Sequence, residues 1–193
     1  MRKLVVVEFL SVDGVMQAPG GPEEDVEGGF RHGGWAMPYN DEVFLERAVA
    51  GMAETDAQLF GRKTYDIMAS YWPNAPADDP FGKHLNAIDK YVASRTLTEA
   101  TWQNTTILDD VPARIADLKE QPGKNISVLG SGDLVQTLIA NDLVDEYSLA
   151  VCPIVLGDGK RLFRKVEQVR RLELVEAVTT TTGAQLLTYR PAR

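Results

Sequence analysis

The chain has 193 residues, 44% of them hydrophobic, enough for one sizeable core, and it reads as a single domain over residues 1–193. Its 28 acidic residues against 20 basic ones give a formal charge of -8, which repels phosphate backbones and anionic bilayers and argues against nucleic-acid and membrane partners. No window approaches the roughly 18 apolar residues of a membrane span, and the single cysteine, Cys152, excludes an intramolecular disulfide and suits a reducing, cytoplasmic setting.

Residues 4–10 form a β-branched apolar run closed by Ser11-Val12-Asp13-Gly14, which predicts a buried strand. Glu8 breaks that run after four apolar residues, against a signal peptide. Residues 14–40 carry seven glycines and three prolines with little periodicity, a long irregular loop of the kind used as a lid or binding element. Asn40 or Asp41 can cap a helix to about residue 54, with Val43, Phe44, Arg47, Ala48 and Gly51 turned inward. Residues 57–60 read as a strand, and Gly61-Arg62-Lys63-Thr64 opens a helix over 65–71 that Pro73 ends. Strands follow at 90–94 and 105–108, then a helix at 111–120 that Pro122-Gly123 terminates. Residues 125–129 form a strand, Gly130-Ser131-Gly132 a tight turn, and 133–140 a helix with Leu134, Leu138 and Ile139 inward. The chain ends in a long apolar strand at 146–156 and a hairpin of 171–179 with 185–190 around Thr181-Thr182-Gly183. The pattern predicts an α/β fold, mostly parallel in its sheet, with antiparallel C-terminal strands.

Three strand-to-helix or strand-to-turn junctions have the chemistry to hold phosphate. At Gly130-Ser131-Gly132-Asp133, backbone N–H groups and the positive end of a helix dipole are available to a pyrophosphate; a plain helix-start turn has the same sequence. At Gly61-Arg62-Lys63-Thr64, an Arg fork, a hydroxyl and helix N–H groups can share a phosphate, or Thr64 simply caps its helix. At Ser94-Arg95-Thr96, hydroxyls and a guanidinium can meet an adenosine 2′-phosphate, as they can on any surface turn. Asp13 can hydrogen-bond a polar ring or hold the loop shape, and Asp41, Glu42 and Glu46 are further candidates for an acid or complements to a helix dipole. Asp78-Asp79 and Asp109-Asp110 read as solvent charge. His32, His84 and Cys152 have no metal-ligand spacing, so no metal site is predicted. Few nucleophiles beside several phosphate-competent turns favour a nucleotide cofactor that does the chemistry itself, acting on a small molecule.

Ser11-Val12-Asp13-Gly14, Gly61-Arg62-Lys63-Thr64-Tyr65, Ser94-Arg95-Thr96-Leu97, Gly130-Ser131-Gly132-Asp133-Leu134 and Leu143-Val144-Asp145-Glu146, in that order, resemble the dihydrofolate reductase superfamily. With Pro153-Ile154-Val155-Leu156-Gly157-Asp158-Gly159, the resemblance narrows to the C-terminal reductase domain of the bifunctional riboflavin-biosynthesis deaminase/reductase and its stand-alone relatives. It implies a dihydrofolate-reductase-like three-layer fold, often homodimeric, that transfers hydride from NADPH to a heterocycle or a ribosylamino-pyrimidine, as in 5-amino-6-(5-phosphoribosylamino)uracil reductase. In the same terms, Gly61, Arg62 and Thr64 would contact cofactor phosphates, Ser94 and Arg95 the 2′-phosphate, and Gly130, Ser131, Gly132, Asp133 and Leu134 the pyrophosphate and nicotinamide ribose. Asp13 would lie near the nicotinamide as the catalytic residue. A true dihydrofolate reductase and a nonenzymatic nucleotide-binding protein are the alternatives on this fold. Val7 stands where the riboflavin enzymes commonly carry a lysine, which removes a substrate-phosphate contact, and no deaminase zinc motif is present.

Overall fold

A computed structural model describes residues 1–164 and 168–192. Among them, the strands lie in the order β4-β3-β2-β5-β1-β6-β8-β7 of one sheet. The chain separates into two compact units: Met1–Val5 with Gly51–Val144, and Val6–Ala50 with Asp145–Arg193. The first strand, β1 (Leu4–Ser11), enters both.

The first unit is the parallel one. β2 (Thr55–Gly61), β3 (Asp89–Ala93), β4 (Thr105–Leu108) and β5 (Asn125–Leu129) pair in parallel, with β2 between β3 and β5. The intervening helices are α2 (Arg62–Tyr71), α3 (Pro80–Ala87), α4 (Val111–Glu120) and α5 (Gly132–Ala140). Phe60, Tyr65, Leu85, Val92 and Trp102 form its core on one face, and the Tyr65 hydroxyl accepts the Trp102 N–H at 3.0 Å. Lys90 is fully buried in that face. Its ammonium donates to the carbonyls of Leu85 (2.7 Å) and Ile88 (2.8 Å), closing the end of α3, and lies 4.8 Å from the Trp102 ring. Burial pulls its pKa down to about 8.

In the second unit, β6 (Glu146–Cys152), β8 (Gln185–Pro191) and β7 (Leu172–Thr179) are antiparallel, β8 in the middle. The alternation of the C-terminal segment foretold this ribbon. The irregular residues 14–40 build a core of their own: Val15, Ala18, Phe30, Trp35 and Ala36 pack with Cys152 and Ala184, and the Trp35 indole donates to the Gln17 carbonyl at 2.8 Å.

Four expectations are corrected. The strand expected at 146–156 stops at Cys152, because Pro153 has no N–H to continue the ladder. α3 was not foreseen, and Asp79, read as solvent charge, is its cap, accepting the N–H groups of Phe81 and Gly82 at 2.8 and 3.1 Å. Asp110 likewise caps α4 through the Ala113 N–H at 3.3 Å. α1 (Glu42–Ala53) buries none of its residues, and Arg47 and Gly51, expected inward, are exposed; Arg47 reaches out to pair with Glu176 of β7.

Candidate functional site

The sheet of the first unit contains a point where the chain parts in two directions. From β2 it proceeds outward to β3 and β4, whereas β5, on the other flank of β2, lies on the β1 side. At such a point the carboxyl ends of neighbouring parallel strands leave a crevice flanked by two helix starts. Here those ends are Gly61 and Leu129, and the helices are α2 and α5.

The turns after these strands touch. The Gly61 N–H donates to the Ser131 hydroxyl at 2.8 Å, and that hydroxyl donates to the Leu129 carbonyl at 3.2 Å. A Cβ on Gly130 would stand 3.1 Å from Thr64 Cγ2, and one on Gly61 would stand 3.4 Å from Ser131 Cβ. Gly130 and Ser131 are both left-handed, at φ 61° and 65°. Left-handed Ser131 followed by the right-handed start of α5 at Gly132 turns successive N–H groups toward one concave side, and the opening turn of a helix adds N–H groups that have no intrahelical acceptor. Neither α2 nor α5 has a side-chain cap at its start. Thr64 therefore sits in the first turn of α2 against Gly130 rather than capping it.

The remaining residues of the first unit divide. Ser94 lies one residue beyond Ala93, the register neighbour of Gly61, so it stands at the same carboxyl edge. Its hydroxyl accepts the N–H groups of Thr96 (3.2 Å) and Leu97 (2.9 Å), forming the turn on which the exposed Arg95 is presented. Arg62 is turned along its own helix onto Asp66, Nε to both carboxylate oxygens at 2.8–2.9 Å. Asp133 is exposed and Leu134 buried, the latter anchoring α5 together with Val135, Leu138 and Ile139.

Asp13 belongs to the second unit. Its carboxylate accepts the Ser11 hydroxyl (2.7 Å) and the N–H groups of Leu156 (3.1 Å) and Gly157 (2.9 Å), with the Arg161 guanidinium 3.6 Å away. These donors, the Ser11 hydroxyl foremost, hold its pKa down to about 2. At neutral pH Asp13 is an anion that shapes the 154–157 turn. Asp41 is similar: Thr181 and the N–H groups of Phe44 and Thr182 bring it to about 2. Glu42 and Glu46 are exposed on α1. The acid that sequence reading passed over is Glu8, 4% exposed on β1, whose carboxyl burial pushes well above its ordinary value. Its one signal was a charged residue inside an apolar strand.

A model of the RibD C-terminal domain matches residues 2–186. The chain belongs to that family. Within reach of this RibD-type domain are two proteins of Bacillus subtilis strain 168, neither characterised. YyaP is 36% identical over 191 residues, 97% of this chain and 94% of YyaP, and YwjB is 28% identical over 120 residues, 62% and 64% of the two chains. Two crystal structures share the fold. A proposed riboflavin-biosynthesis protein from Shewanella sp. PV-4 superposes with a TM-score of 0.71 at 23% identity, covering 99% of each chain. A pyrimidine reductase-like protein from Corynebacterium diphtheriae does so at 0.67 and 12% identity, covering all of this chain and 92% of its own. At these identities the two structures show the fold alone, and the reductase-like reading rests on the family. No helix among the described residues is long and apolar enough to cross a membrane.

Proposed function

We propose that the protein is an NADPH-dependent reductase of a small heterocyclic substrate, related in chemistry to 5-amino-6-(5-phosphoribosylamino)uracil reduction. The observation that carries this reading is the pair of uncapped helix starts, α2 and α5, meeting through Gly61, Thr64, Gly130 and Ser131 at the branching point of a parallel sheet. The missing Cβ of Gly130 lets its turn pack directly on Thr64, which brings the N–H groups of the two helix starts together, an arrangement suited to the pyrophosphate of a dinucleotide. In this reading Gly130, Ser131, Gly132, Asp133 and Leu134 hold the pyrophosphate and ribose, Gly61 and Thr64 the neighbouring phosphate, and Ser94 and Arg95 the 2′-phosphate. Arg62 joins them only by leaving Asp66. When bound, the cofactor supplies the hydride.

Asp13, ionised at neutral pH, is suited to positioning the 154–157 turn and to electrostatic work rather than to donating a proton. With Val7 in place of a lysine, the substrate needs no phosphate at that position. We extend the proposal to a homodimer in the cytoplasm. Thermal unfolding with NADPH, NADH and neither tests the cofactor: at about 100 times its Kd a ligand adds roughly 2.7 kcal/mol. Stabilisation by NADPH and little by NADH is the expected result, with Arg95→Ala removing the difference. No shift with either cofactor overturns the reading.

A further inference from the structure

We infer that the hold of Tyr65 and Asn86 on Trp102 sets the preference for NADPH over NADH, by fixing the Ser94-Arg95 turn at a set distance from the start of α2; this rests on the proposed assignment of that turn to the 2′-phosphate. Tyr65 and Asn86 are then positioning residues, and all of the parts lie in the first unit.

Residues 94–104 join β3 to β4 without helix or strand. An exposed arginine on such a loop reads a phosphate selectively only if the loop is held before the ligand arrives, because ordering loop and side chain on binding costs affinity. Hydroxyls hold this backbone at both ends. At the start, Ser94 Oγ accepts the N–H groups of Thr96 and Leu97. Toward the end, the Trp102 N–H donates to the Tyr65 hydroxyl at 3.0 Å. Between them Leu97 and Ala100 lie on the same core as Trp102, whose ring stacks on Phe60 with centroids 6.1 Å apart.

The second grip is on the indole. Its Nε1 donates to Asn86 Oδ1 at 2.6 Å, and Asn86 is itself fixed in place. Asn86 Nδ2 donates to the Trp72 carbonyl at 2.9 Å, and its own carbonyl accepts the side-chain amides of Gln103 and Asn104 at 3.1 and 3.3 Å. The Lys90 ammonium holds the carbonyls of Leu85 and Ile88 to either side. At the other end of the device, Tyr65 follows Thr64, which packs against Gly130 where the two turns meet. One side chain thus joins the opening of α2 to the loop. In NADPH the pyrophosphate and the 2′-phosphate are linked through one adenosine, so a site that reads both needs its two elements at a matching separation. Tyr65 and Trp102, each 2% exposed, form a packed strut of set length between those elements. NADH lacks the 2′-phosphate and does not depend on the strut.

Calorimetric titration of the full chain with NADPH and with NADH, on the wild type, Tyr65→Phe, Arg95→Ala and the double variant, tests this. Tyr65→Phe removes one hydroxyl and keeps the ring. It should weaken NADPH on the order of tenfold, the worth of one hydrogen bond to a charged group, and change NADH by less than about twofold. In the Arg95→Ala background the same substitution should cost NADPH nothing further, because the residue through which it acts is gone. Hydrogen exchange of the unliganded variant should rise in peptides covering residues 94–104. Equal loss of both cofactors in Tyr65→Phe, additive losses in the double variant, or unchanged exchange of the loop overturns the inference while leaving the cofactor reading intact. A wild type that binds NADPH no more tightly than NADH overturns both, which keeps the two failures apart. Should Tyr65→Phe fail to fold, Trp102→Phe, which frees the loop from Asn86 and keeps a ring against Phe60, must show the same non-additivity with Arg95→Ala, and additive losses there overturn the inference equally.

Discussion

Four helices of the first unit start in two different ways. α3 and α4 are closed by the carboxylates of Asp79 and Asp110, which take up N–H groups of their first turns. α2 and α5 begin at Gly61 and Ser131 with no side chain turned back on the helix. A capped start has spent its N–H groups and its dipole on the protein, whereas an uncapped one still presents them to an anion. The two uncapped starts are also the two that touch. A phosphate-binding role is therefore better read from which helix ends lack a cap than from how many glycines a segment holds. Residues 14–40 make the same point from the other side: glycine-rich as they are, they turn their polar groups on one another and enclose an apolar core.

The largest effect that would sharpen this contrast is expected at Gly130. Gly130→Val places a branched side chain where a Cβ alone stands 3.1 Å from Thr64, on a backbone at φ 61°. The left-handed conformation costs a residue with a side chain roughly 1–2 kcal/mol, and separating the two turns should cost NADPH affinity at least about tenfold, a further 1.4 kcal/mol. Thermal unfolding and titration calorimetry read both. Full NADPH affinity in a folded Gly130→Val protein would show that the contact between the turns is irrelevant to the cofactor.

A smaller effect distinguishes the capped start of the second unit. Asp41 caps α1 through the Phe44 N–H and ties it to the hairpin through Thr181 and Thr182. Its pKa is lowered from 3.8 to about 2, so its contribution is complete above about pH 4 and is lost as pH falls through 2. Asp41→Asn should be less stable than wild type at neutral pH and should lose less on acidification. Parallel acid unfolding curves would remove Asp41 from the account.

The strands, the helix at 111–120 and the turns after the strands were legible because periodicity and glycine punctuation are local: 105–108, 111–120 and 125–129 fall where the pattern puts them. What escaped was set by distant partners. Whether Asp13 is a proton donor or an anion depends on the N–H groups of Leu156 and Gly157, more than 140 residues away. Glu8 is buried because its strand lies inside the sheet, between β5 and β6, which its local sequence does not reveal. Arg62 was assigned to a phosphate on residue type, and the fold gives it Asp66 one turn along. α3 was hidden in a polar stretch whose only starting signal, Asp79 before Pro80, was read as surface charge.

The smallest expected effects fall on the capped pair and make the sharpest control. Asp79→Ala removes the acceptor of two N–H groups, Asp110→Ala that of one at the longer distance of 3.3 Å. Loss of a helix cap costs about 0.5–2 kcal/mol, with Asp79 toward the upper end and Asp110 toward the lower. Neither should change NADPH affinity, because neither helix start takes part in the meeting of α2 with α5. If Asp110→Ala weakens cofactor binding as much as it weakens the fold, capped and uncapped starts are not separate in function, and the assignment of the nucleotide to α2 and α5 loses its main support.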